Sequence, residues 1–263
     1  MIAAFIQARV TSTRLPGKVL KPILGKPILE LETERVQSCQ TIDRVIIVTS
    51  TSPDDQQIVN FCKQRDIDVF CGNLENVLDR FYQAARKFKP DHIVRITGDC
   101  PLIDPKVVDS MIRLYLDKKC DYGTNCVPPT YPDGLDAEIF TMEALTQAHR
   151  EAVLPSHLEH ISPFFEGQPD RFKTVNLANS VDLSALRWTV DEPQDFEFVK
   201  KIFETLYPSK PLFGMEDIFS VLEKNPQWAV LNKQFTRNEG LLKSKEKDKV
   251  FRERNTGLQD HRK

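Results

Sequence analysis

Three cations crowd into one short stretch near the start of the chain: Arg9, Arg14 and Lys18, in QARVTSTRLPGKVL, directly after the apolar run MIAAFI. Arg grips a phosphate through two parallel hydrogen bonds and Lys acts as a point charge, so a loop of this content suits a polyanion. It is not a Walker loop. Gly17-Lys18 is present, but Ser12 and Val19 occupy the positions where G-x-x-x-x-G-K-[ST] needs Gly and Ser/Thr. No G-x-G-x-x-G follows the first apolar run either, which excludes the usual dinucleotide turn. Farther on, RITGDCPLID ends an apolar run in Asp99, and RWTVDEPQDF ends another in Asp191. A carboxylate so placed either satisfies turn or helix-cap donors or helps hold Mg²⁺ against substrate phosphates. A cationic loop with two such aspartates is a stronger signal than any one part.

A second group is acidic. In PDGLDAEIF, Asp133 is followed by Asp136 and Glu138, and alternate positions place the last two on one face of a strand, to bind an acceptor or simply to face solvent. His157 and His160 in SHLEHISPFF are three apart, on one helical face. Zinc needs further ligands that nothing nearby supplies, so acceptor contact or packing is expected of them. Six cysteines without a CxxC pair read for the most part as reduced core residues, with Cys100 the one near enough to the acidic turn to be exposed.

These side chains need a scaffold. Apolar runs at 2–7, 44–50, 68–72 and 92–99 alternate with helical patterns at 26–39, 54–65, 75–88 and 105–118. That alternation predicts an α/β fold, three-layered and Rossmann-like, with a doubly wound, mostly parallel sheet. In such sheets ligands bind beyond the carboxyl ends of the strands, where the loops at 7–20, 72–76 and 97–104 converge. Later, strands are expected near 136–140, 173–177 and 185–190, and helices at 141–150, 154–166 and from Pro193. One domain over 1–235 is expected. Residues 237–263 carry nine Lys/Arg against five Asp/Glu and few apolar residues, which predicts a flexible basic tail. A net charge of −2 argues against a general nucleic-acid binder. With no apolar run long enough to span a bilayer and no leader pattern, a cytoplasmic protein is expected.

IQARVTSTRLPGKVL, GDCPLIDP and LRWTVDEPQDFEFV together resemble the cytidylyltransferases that activate sugar acids. With NVLDRFYQAA, YPDGLDAEIF and EHISPFF, the chain is most similar to the spore coat polysaccharide biosynthesis protein F type of that superfamily. The resemblance implies the sheet of nucleotide-diphospho-sugar transferases, and attack of a sugar-acid hydroxyl on the α-phosphate of CTP with release of pyrophosphate. It implies Arg9, Arg14 and Lys18 on the triphosphate, Lys18 neutralising charge as pyrophosphate leaves. Asp99 and Asp191 would hold Mg²⁺, and the loop with Gly72 and Arg80 would lie on base and ribose. A homodimer is implied, with residues 120–140 suited to the exchange. For the acid's own carboxylate, Arg187 and the Arg150/His157 region are candidates. Two other readings stay open: a glycosyltransferase on the same kind of sheet, and a non-catalytic nucleotide-binding subunit.

Overall fold

A computed structural model describes residues 1–257. The first strand, β1 (Ile2–Gln7), is apolar along its length and buried on both faces, as a strand sandwiched between helices must be. After the cationic loop come a two-residue hairpin, β2 (Pro22–Ile23) and β3 (Lys26–Pro27), and helix α1 (Ile28–Gln37). Then β4 (Arg44–Ser50), α2 (Gln56–Gln64), β5 (Asp68–Gly72), α3 (Val77–Phe88), β6 (His92–Thr97) and α4 (Pro105–Lys118) alternate. Asn76 caps α3 and Asp104 caps α4, each side chain accepting a first-turn N–H as short polar caps do.

The second half supplies β7 (Tyr122–Thr124), β8 (Glu138–Thr141), α5 (Met142–Glu151), α6 (Pro155–His160), α7 (Ser162–Glu166) and β9 (Thr174–Asn176). It ends in α8 (Pro193–Leu206), α9 (Met215–Lys224) and α10 (Glu239–Gly257). The main sheet runs β5-β4-β1-β6-β8-β7-β9, and β8 is antiparallel to both neighbours while the other pairings are parallel. One face packs on α1, α2 and α4 through residues such as Ile6, Ile47, Val36, Ile58 and Met111. The other packs on α3, α5 and α7 through Phe5, Val48, Phe81, Leu145 and Phe165. A third core of Trp188, Phe198, Phe203 and Phe213 fastens α8 and α9 beside α1. The layered, mostly parallel fold is the one expected.

Three local expectations are corrected. Residues 185–190 are no strand: they form a lone bridge, Asp133 with Arg187, and then bond Val190 N–H to the Asp99 carbonyl at 2.8 Å. Apolar alternation was satisfied there by packing Trp188 and Val190 into the third core. The single helix expected over 154–166 breaks at Ile161, whose φ of 65° is outside any helix, into α6 and α7. The tail expected to be flexible is helical as α10 from 239 to 257 and lies along α6. Asp248 accepts from both the N–H (2.9 Å) and the hydroxyl (2.6 Å) of buried Ser156. Those bonds, not an apolar stripe, fix α10, which is why composition alone missed it. The last six residues of the expected tail, 258–263, lie outside the described residues.

Candidate active site

The cationic loop leaves β1 at the carboxyl edge of the sheet and is tied down by Asp55, in the turn before α2. Asp55 is fully buried and accepts the Val10 N–H at 2.7 Å and the Ser50 hydroxyl. The loop then closes on itself, Gly17 N–H to the Val10 carbonyl at 3.0 Å, and turns through Gly17 (φ 68°) into a short 3₁₀ turn that carries Lys18. This aims the Lys18 ammonium inward. It lies 2.6 Å from Asp99 Oδ2, after β6, and 2.7 Å from Asp191 Oδ1, before α8.

The electrostatics follow from that geometry. Burial works against the Lys18 charge, but the Asp99 and Asp191 carboxylates outweigh it and push its pKa above the ordinary value. Burial likewise opposes ionised Asp99, yet the Lys18 ammonium and its hydrogen bond hold that carboxyl below the usual range. Lys18 and Asp99 therefore both keep their charges at neutral pH. Arg14 adds a second cation, 2.9 Å from Asp191 Oδ1, 3.3 Å from Glu192 and 3.2 Å from Glu239. Asp191 is aimed from behind. Arg187 donates to its other oxygen, Oδ2, at 3.0 Å, while gripping Asp195 with two bonds of 2.9 and 3.0 Å. The same guanidinium reaches Asp133 at 3.2 Å. Arg187 is thus a positioning residue and not a free cation for an acceptor.

Beyond this cluster lies a cavity of about 460 Å³ lined by Asp99, Asp191 and Arg14 on one side and by Arg95, Asp136, Glu138 and His160 on the other. Glu138 is buried, pairs with Arg95 and accepts the Tyr122 hydroxyl at 2.6 Å, so the solvent-facing alternative for it is ruled out. Asp136 pairs with Arg237 at 2.5 Å. The two histidines part company. His160 faces the cavity with its Nε2 3.2 Å from the Ser244 hydroxyl, whereas His157 packs edge-on against Phe164 with ring centroids 5.5 Å apart. Arg9 is exposed on the loop. Arg80 is buried, with its Nε and Nη2 spent on the Asn73 and Leu74 carbonyls at 2.8 and 2.9 Å. It therefore shapes the 73–74 loop from beneath, and Gly72 lies so close that a Cβ would stand 2.8 Å from Arg80 Cγ. Cys100 is buried among Asp99 and Glu32, where burial raises its pKa well above that of a free thiol; it is neither exposed nor reactive.

Four participants are new. Glu32 of α1 sits fully buried behind Asp99, accepting the Cys100 N–H at 3.2 Å, and its second oxygen has no partner. Burial and the Asp99 charge push its carboxyl well above the ordinary Glu range. Asp55, Asp195 and Arg237 are buried or half-buried anchors of the loops around the site. Glu32 lies in a helix rich in acids and Asp195 in a helix first turn, positions that read from sequence as solvent face and cap.

A polyanion-sized cationic loop, two converging carboxylates and an adjoining cavity at the carboxyl edge of a doubly wound sheet define a nucleotidyltransferase. The chain belongs to the cytidylyltransferase family, whose model matches residues 3–236. It is 30% identical over 239 residues to the spore coat polysaccharide biosynthesis protein SpsF of Bacillus subtilis, across 87% of this chain and 96% of that one. A solved cytidylyltransferase of Leptospira borgpetersenii superposes with a TM-score of 0.82 at 34% identity, covering 89% of this chain and 98% of the other. The 3-deoxy-manno-octulosonate cytidylyltransferase of Zea mays is 37% identical over 111 residues, 41% of this chain and 36% of its own. Family membership leaves the glycosyltransferase reading and the non-catalytic reading without support. Among the described residues no helix is long and apolar enough to cross a membrane.

Proposed function

We propose that the protein transfers CMP from CTP to the hydroxyl of a sugar acid, releasing pyrophosphate, in the synthesis of a surface polysaccharide. The observation that carries this reading is the convergence of Lys18, Asp99 and Asp191 within 2.7 Å contacts beside the cavity. The relatives named for 3-deoxy-manno-octulosonate and for spore coat polysaccharide support the acceptor class. In the reaction the acceptor oxygen forms a bond to the α-phosphorus as the bond to the β-phosphate oxygen breaks, and the hydroxyl proton is given up to water. Arg14 exchanges its carboxylate partners for phosphate oxygens, and Lys18 neutralises the charge that gathers on departing pyrophosphate. Arg187 keeps Asp191 Oδ1 pointed at the same spot throughout.

The donor set fits magnesium. Asp99 Oδ2 and Asp191 Oδ1 face one spot, where both reach the Lys18 ammonium. Two carboxylates with phosphate oxygens and water completing the shell is the coordination magnesium favours. When bound there, it would add positive charge to the transferring phosphates. The test is to offer each of the four nucleoside triphosphates with Mg²⁺ and a panel of ulosonic and nonulosonic acids, and to follow pyrophosphate. Release with CTP and an acid, and not with CTP alone, is expected; no release and no CTP binding contradicts the reading.

A further inference from the structure

A sugar acid brings a carboxylate into the cavity, and a carboxylate taken out of water needs a cation or several donors to offset its desolvation. Three Lys or Arg side chains line the cavity: Arg14, Arg95 and Lys245. Arg14 is held by Asp191, Glu192 and Glu239, on the triphosphate side. Arg95 is committed to Glu138, with Gln7 as a further partner at 3.3 Å. His160 lines the cavity too, but burial and the Arg95 charge lower its pKa, so its ring is neutral at pH 7. Arg187 is divided among Asp195, Asp133 and Asp191 and does not line the cavity.

Lys245 is the exception. It makes no ion pair within 4.0 Å among the described residues, and it lies on the cavity wall at an exposed position of α10. Its charge acts on Glu166, also a wall residue, which burial and the Glu138 charge drive toward its neutral form. The backbone beside Lys245 is fixed: Ser244 is buried, donates to Glu159 at 2.6 Å and meets His160 at 3.2 Å. Helix α10 also lies past residue 236, where the family match ends. A recognition group there would belong to this chain's own acceptor and not to the shared CTP machinery.

We propose that Lys245 binds the carboxylate of the acceptor acid and so sets acceptor specificity, an inference that rests on the acid-activating reading above. The chemistry is a charge-assisted hydrogen bond from the ammonium to the carboxylate, formed at the cost of little else because Lys245 has no closer ion partner to leave.

Steady-state kinetics test it with N-acetylneuraminate and 3-deoxy-manno-octulosonate, each also reduced to the alcohol at C1, on wild type, Lys245→Met and Lys245→Arg. Lys245→Met should raise the KM for the acid about 10- to 100-fold, the range for a hydrogen bond to a charged group. The KM for CTP and the melting temperature should not move, Lys245→Arg should recover most of the loss, and the reduced acceptor should feel no penalty. An unchanged KM for the acid, or an equal rise for acid and alcohol, overturns the role of Lys245 and leaves acid activation standing. Wild type that turns over CTP with no acid overturns both.

Discussion

Glu32 is the residue on which the site's electrostatics rest least visibly. Its carboxyl is fully buried behind Asp99, and burial plus the Asp99 charge raise its pKa well above the ordinary Glu value. A folded-state pKa above the unfolded one means that the folded chain binds more protons, so stability falls as pH rises from the ordinary Glu value through the folded one. Glu32→Gln removes that slope. Its melting temperature should gain on wild type steadily as pH rises, with turnover retained, because the amide oxygen still accepts the Cys100 N–H. Loss of turnover in a well-folded Glu32→Gln would mean that the ionised acid takes part in chemistry. Asp133 obeys the same sign. Burial and the Asp136 charge outweigh Arg237 and Arg187 and push it up to about 7. The stability of wild type relative to Asp133→Asn should therefore shrink from the ordinary Asp value of 3.8 up to about 7 and level off above. A gap that widens over that window in thermal melts would show the two guanidiniums winning. Lys18 was legible in the sequence as a cation after Pro16-Gly17 in the loop that follows the first strand, and Asp99 and Asp191 because each ends an apolar run near a Gly or Pro. Glu32 was not, since a Glu in ILELETERVQ reads as solvent face until the 97–104 turn is packed over it.

At the scale of elements, the site depends on segments with little regular structure meeting at defined points. The clearest is Gly134 against residues 188 and 189. A Cβ on Gly134 would stand 2.6 Å from both the Thr189 nitrogen and the Trp188 carbonyl carbon, and its φ of 109° disfavours any other residue. This contact sets Asp133 beside Arg187, and through Arg187 it aims Asp191. Gly134→Ala should lose about 2–6 kcal/mol in urea denaturation, combining backbone strain with overpacking. It should also lose turnover beyond that explained by unfolding. Unaltered stability would show that the two segments can part without cost. The long strands and helices of residues 1–118 were readable because hydrophobic period and caps agree there. The bridge at 187 and the α10 helix were not. The first carries an apolar alternation that reads as a strand, the second has no apolar stripe, and both are held by residues distant in sequence, Asp133 and Ser156.

For the molecule as a whole, the sheet's polarity is what gathers the chemistry. Parallel strands β1 and β6 deliver the cationic loop and Asp99 to one edge, the third core presses Asp191 against them, and α10 lies across the far wall of the cavity. Each of the first three could be placed from the sequence once a parallel sheet was inferred, whereas the wall added by α10 required the fold. On the proposed reading the loop is a triphosphate clamp whose key group is the Lys18 ammonium. Turnover of CTP by Lys18→Met, set beside its melting curve in the presence of Mg²⁺, decides whether it is. Removing one preorganised charge-stabilising donor should lower kcat/KM about 10²- to 10³-fold while the chain still melts cooperatively. A folded Lys18→Met with wild-type kcat/KM would contradict the account.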